Sequence, residues 1–151
     1  MAEYYSYFIL NFDLPPWLSV AVGSLPQKLL LGRVESFSFE PPEGTDTLDK
    51  DKLWADEKKF QDAVRDLVIL GRDSDLELLT STKYNAMARP QIAKSISLLR
   101  YLILRWPALF RNLVAAYRKG AGDQRADLES IFGCTLEELD EHWRRWVLAG
   151  K

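Results

Sequence analysis

Apolar residues recur at spacings of three and four along most of this chain, the period of helices that each bury one face. The pattern is strongest from Gln91 to Trp106, QIAKSISLLRYLILRW, a stretch with no internal Pro or Gly. Ile92, Ile96, Leu99, Leu102, Ile103 and Trp106 share one wide face there, while Lys94, Tyr101 and Arg105 fall on the opposite side. This predicts a central buried helix of roughly 24 Å at about 1.5 Å per residue, too short to span a bilayer. No membrane partner is expected.

Further helices are predicted around it. Ala2 to Phe12 reads as a first helix dense in aromatics, stopped at Asp13-Leu14-Pro15-Pro16 because a residue before Pro avoids the helical region. Pro16 opens a second helix carrying Trp17, Leu18, Val20, Ala21 and Val22, which Pro26 kinks or ends before a last turn from Lys28 to Leu31. Arg33 to Glu40 is the one good strand candidate, and Pro41 to Asp51 reads as a mobile loop.

Helical spacing returns from Leu53 to Leu70, with Gly71 as its C-terminal cap. Ser74-Asp75-Leu76-Glu77 predicts a capping box, with Ser74 as the cap of a short helix to Thr80. Pro90 starts the central helix, and Pro107 both ends it and opens the next, which carries Leu109, Phe110, Leu113, Val114 and Tyr117 up to Gly120 and Gly122. Asp123 caps a helix through Phe132, and Thr135-Leu136-Glu137-Glu138 is a second capping box. The last helix buries Leu136, Leu139, Trp143, Trp146 and Val147 and should dock on the central one. The prediction is a single mainly α domain over residues 1–151, with at most one short strand or hairpin.

Composition fits that architecture. A chain of 151 residues can bury roughly 68 to 70% of its unfolded surface, so neither disulfide nor metal is needed to hold it. Cys134 has no second cysteine to pair with, and a single thiol suits a reducing compartment, which favours a cytoplasmic location. YYSYFIL near the N-terminus lacks the preceding basic residues and the cleavage site of a signal peptide. The net charge of −2 conceals an asymmetry: Lys83 to Gly122 holds eight basic residues and no acidic one, and Pro42 to Thr82 holds eleven acidic against six basic. Acidic and basic helices packed side by side, sharing a solvated ion-paired rim, account for this. The arginines lie among apolar positions with no recognised motif beside them, so no nucleic-acid partner is expected.

Candidate chemistry is sparse. His142 is the only histidine, set between Glu141 and Trp143, and reads as a surface or rim residue. Cys134, flanked by Phe132 and Leu136, reads as a buried small residue rather than a nucleophile. Gly120-Ala121-Gly122 is a helix stop and not a phosphate cradle.

Two stretches carry a family resemblance. Ala2-Glu3-Tyr4-Tyr5-Ser6-Tyr7-Phe8, followed by Leu14-Pro15-Pro16-Trp17-Leu18-Ser19-Val20-Ala21-Val22-Gly23, resembles the core of peptidase-MA-like, gluzincin-type domains of unknown function. Their pattern is HExxH on one helix and P-x-W-L-x-E-G-x-A on the next. Pro15, Trp17 and Leu18 match as written, although Ala2 and Val20 stand somewhat closer than that family's ligands do. The C-terminal half is similar too, through Ser97-Leu98-Leu99-Arg100-Tyr101-Leu102, Phe132-Gly133, Leu136-Glu137-Glu138-Leu139 and Trp143.

Under that resemblance Ala2 and Ser6 occupy the positions of the zinc-binding histidines, Glu3 that of the general base, and Val20 that of the third ligand. None of Ala, Ser and Val makes a tight zinc ligand. The resemblance therefore implies a non-catalytic relative with no metal and no cofactor, acting as a binding or scaffolding module. A cleft walled by the Trp17 helix and the central helix, with Glu3, Tyr7, Trp17 and Tyr101, would receive an extended peptide or protein partner. If the family's upstream sheet is missing, an apolar face near Tyr4, Tyr5, Tyr7 and Phe8 is left open and favours a homodimer. Two other readings stand beside this one: a helical interaction module with no peptidase ancestry, and one part of a larger metallopeptidase-like protein.

Overall fold

A computed structural model describes residues 14–31, 57–120 and 122–150, and they form a mainly α fold with no strand among them. Seven α-helices follow in order: α1 (Pro16–Leu31), α2 (Glu57–Ile69), α3 (Leu76–Ser81), α4 (Arg89–Arg105), α5 (Pro107–Arg118), α6 (Gln124–Phe132) and α7 (Leu136–Leu148). A single 3₁₀ turn, Tyr84–Ala86, precedes α4. The expected first helix at 2–12, the strand candidate at 33–40, the loop at 41–51 and the start of the next helix at Leu53 lie outside the described residues.

The central helix is where the pattern placed it, but its surroundings differ. Every residue from Pro90 through Leu99 is buried, because α1, α2, α5 and α7 all pack on α4. Lys94 and Tyr101, which the helical period assigns to the solvent side, are only 1% and 4% exposed. A helix enclosed on all sides has no polar face in this stretch, so the wheel no longer sorts its residues. Arg105 does remain exposed.

α1 is the most extensive partner of α4, and between Trp17 and Leu25 it is buried almost all round, through Trp17, Leu18, Val20, Ala21, Val22, Ser24 and Leu25. Pro26 neither ends it nor breaks it, and the helix runs on to Leu31. Proline removes one backbone donor and crowds the preceding turn. Packing on α4 outweighs that local penalty, as tertiary context commonly does.

On the far side of α4, α2 and α7 pack against each other. α2 buries Phe60, Ala63, Val64 and Leu67, then stops at Gly71, whose φ of 61° suits glycine. The Arg72 N–H donates to Leu67 O at 2.9 Å and the Gly71 N–H to Val68 O at 3.2 Å, the paired bonds of a Schellman stop. α3 is capped by Asp75, whose Oδ1 accepts from the Leu78 N–H at 2.7 Å, one residue beyond the expected Ser74. The Ser74 carbonyl is instead drawn to Lys94.

Three starts match their sequence signals. Asp123 Oδ1 accepts from the Arg125 N–H at 3.0 Å to cap α6, and Pro107 opens α5 immediately after Trp106. Thr135 and Glu138 exchange side-chain to backbone bonds at 3.1 and 2.8 Å at the start of α7. α7 buries Leu136, Leu139, Trp143, Trp146 and Val147, and Trp143 lies against α4, where its indole N–H donates to Ser97 Oγ at 3.2 Å. Among the described residues no helix is long and apolar enough to cross a membrane.

Candidate functional site

Two faces of α7 gather the polar chemistry of the described residues. Asp140 and Arg144 stand four residues apart and share one face. Opposite them, the turn that follows Gly71 brings Asp73 and Ser74 over Lys94. The Lys94 Nζ lies 2.9 Å from Asp73 Oδ2 and 2.6 Å from Asp140 Oδ1. Arg144 closes the ring, with Nε 3.0 Å from Asp73 Oδ2 and Nη2 3.1 Å from Asp140 Oδ2. The Lys94 ammonium also donates to the Ser74 carbonyl and sits 4.3 Å from the centre of the Trp143 ring.

Two cations and two carboxylates thus neutralise one another, with the side chains of Lys94, Asp73 and Asp140 buried and that of Arg144 half-buried at the edge. Burial pushes the Asp140 carboxyl above its ordinary range, and Lys94 and then Arg144 pull it back. Each charge in the ring is committed to its neighbours, so the arrangement fastens the loop after α2 to α4 and α7 and leaves no free nucleophile or base. The expected solvated rim is only part of the outcome, since this pairing is internal. The rim proper is at Arg125, which reaches Glu129 at 3.0 Å, Glu137 at 2.8 Å and Glu77 at 3.4 Å.

The other face of α7 looks onto a groove of about 310 Å³ at the corner between α4 and α5. Trp106 forms the corner, since it ends α4 with its N–H donating to Leu102 O at 3.0 Å and directly precedes Pro107. Its ring meets Tyr101 edge-on with centroids 5.2 Å apart, and Tyr101 in turn lies 5.4 Å from Trp146. His142 closes one side, 6.0 Å from Trp106. Arg105 and Arg145 are exposed at the margin, and among the described residues neither lies within 4 Å of a carboxylate. Burial raises the Tyr101 hydroxyl above its usual range, and the nearby positive charges of Arg105 and Arg145 oppose that rise.

Residues singled out in the sequence are scattered in this structure. Ala2, Glu3, Ser6 and Tyr7 lie outside the described residues. Val20 and Trp17 belong to the core at 4% and 0% exposure, and Trp17 does not line the groove that Tyr101 lines. Cys134 is partly buried against the core, and burial, followed by Glu138 and Glu129, raises its thiol above the ordinary value. Lys94, Asp73, Trp106 and Arg145 carried no individual signal for a site, because the contacts that define them join segments distant in the chain. Among the described residues no group of three or more His, Cys, Asp and Glu is placed to hold a metal ion. A scan of protein-family models, a search of curated proteins and a search of solved structures each return no match for this chain.

Proposed function

We propose that this protein is a non-catalytic binding module that receives a segment of a protein partner in the groove between the α4–α5 corner and α7. The observation that carries this reading is the convergence of Tyr101, Trp106 and Trp146 with two exposed arginines that have no carboxylate neighbour among the described residues. Trp, Tyr and Arg are the residues in which binding energy concentrates at protein interfaces. The groove volume of about 310 Å³ lies at the small end of the range for ligand pockets and suits one large side chain of an extended segment.

Catalysis finds little support in the same residues. The buried lysine is surrounded by its partners, and the one thiol is shifted away from the thiolate. The groove reading needs no peptidase ancestry, and it stands whether or not the gluzincin resemblance reflects descent.

A peptide-display selection on the full chain tests it. Selected peptides should bind the wild type and lose binding to the Arg105→Glu, Arg145→Glu double variant at unchanged melting temperature. A selection that yields no binder, or binders indifferent to the double variant, overturns the proposal. So does stoichiometric zinc accompanied by peptide hydrolysis.

A further inference from the structure

We infer that the segment bound in this groove is acidic and carries an aromatic side chain flanked by carboxylates, an inference that rests on the binding reading above. The charge argument comes from contrast within the fold. Arg125 and Arg144 are each held by several carboxylates, whereas Arg105 and Arg145 have none within 4 Å among the described residues. Both sit in the last turn of their helices, where a cation complements the helix dipole. That accounts for one cation on each helix, but it does not require the two to converge on the same aromatic floor. A guanidinium engages a carboxylate through two parallel hydrogen bonds, so two such groups flanking a pocket match carboxylates on either side of an anchor.

The anchor follows from the floor. Trp106 is the half-buried ring at the groove, backed by the buried Tyr101 at 5.2 Å, which lies 5.4 Å from the buried Trp146, and one more ring can pack on this stack from the groove side. Polyanions fit less well. The chain carries a net charge of −2 and no recognised nucleic-acid-binding motif, and the groove of about 310 Å³ offers two arginines rather than an extended basic stripe. A short acidic segment stays within their reach.

Fluorescence anisotropy on the full chain tests this with defined synthetic peptides. One has a single Trp among Asp and Glu, a second replaces those acids by Asn and Gln, and a third keeps the acids but has Ala for Trp. The acidic Trp peptide should bind at least about tenfold more tightly than either control, a difference that salt should erode. Arg105→Gln with Arg145→Gln should remove that advantage without changing the melting temperature. Equal binding of the Asn and Gln peptide sinks the acidic inference while leaving the binding reading intact, and equal binding of the Ala peptide sinks the aromatic anchor in the same way. Preferential binding of a single-stranded oligonucleotide or of anionic vesicles overturns the inference, as does self-association blocked by the double variant. If none of the peptides binds and the display selection is also empty, both readings fail together.

Discussion

Lys94 and Asp140 meet in the interior with ammonium and carboxylate oxygen 2.6 Å apart and only 1% and 4% of their side chains exposed. The contact joins the central helix to the last one, and it belongs to a ring that also takes in Asp73 and Arg144. Removing one member of a buried ion pair leaves its partner charged and dry, which typically costs about 3 to 5 kcal/mol.

Lys94→Met should therefore lower the unfolding free energy by about 3 kcal/mol or more in urea melts. Asp140→Leu should be similarly damaging, since it strips Lys94 and Arg144 of a shared carboxylate. The double variant leaves Asp73 with Arg144 as a neutral pair, so its loss should be clearly smaller than the sum of the two single losses. Simple additivity would mean that the ring is not an energetic unit.

The Asp140 carboxyl also gives stability a dependence on pH. Burial raises its folded pKa above the ordinary 3.8, so folding favours the protonated form. This contribution is fully present below the unfolded pKa and fades as pH rises through the raised folded one. Wild type minus Asp140→Asn, followed by urea melts from pH 3 upward on the scale set by that ordinary value, should fall across this window. A difference that rises with pH there would reverse the sign and refute the assignment.

How much of this was legible in the sequence depends on the range of the interaction. Gly71, Asp123 and the Thr135–Glu138 pair act on their own backbone turns, so local pattern located them, and the spacing of Leu136, Leu139, Trp143 and Trp146 marked a buried face. A helical wheel sends the charge of Lys94 to solvent, whereas the two carboxylates that hold it in the interior, Asp73 and Asp140, come from other segments. Ser74 failed as a cap for a related reason, since its carbonyl is recruited by that same lysine. The groove is likewise invisible to periodicity, because Trp106 and His142 meet only when the α4–α5 corner packs against α7.

Cys134 supplies a chemical test. Burial raises its thiol above the ordinary 9.0, and the negative charges of Glu138 and Glu129 add to the shift. Alkylation by iodoacetamide should be slow at neutral pH, with a rate profile displaced to higher pH than that of free cysteine. Glu138→Gln keeps a residue suited to the capping box but removes one negative charge, so it should move the profile down. A fast-reacting thiol at neutral pH would point to a thiolate and reopen the catalytic reading.

Trp143 and His142 are neighbours in α7 that point to different surroundings, and substituting them separates packing from surface chemistry. Trp143 is fully buried, bonded to Ser97 and covered by the Lys94 ammonium. Truncation to Ala should cost about 3 to 5 kcal/mol, comparable to the total stability of a small domain at roughly 5 to 15 kcal/mol. Trp143→Phe keeps most of the ring volume while losing the indole donor, so it should cost less than the Ala variant. His142 is partly exposed at the groove, and His142→Ala should change stability by about 0.5 kcal/mol or less, as substitutions near the surface usually do. Thermal and urea melts give the order directly. If His142→Ala proves the more damaging change, the histidine is holding the α4–α5 corner through Trp106, and the groove is part of the core rather than a place for a partner.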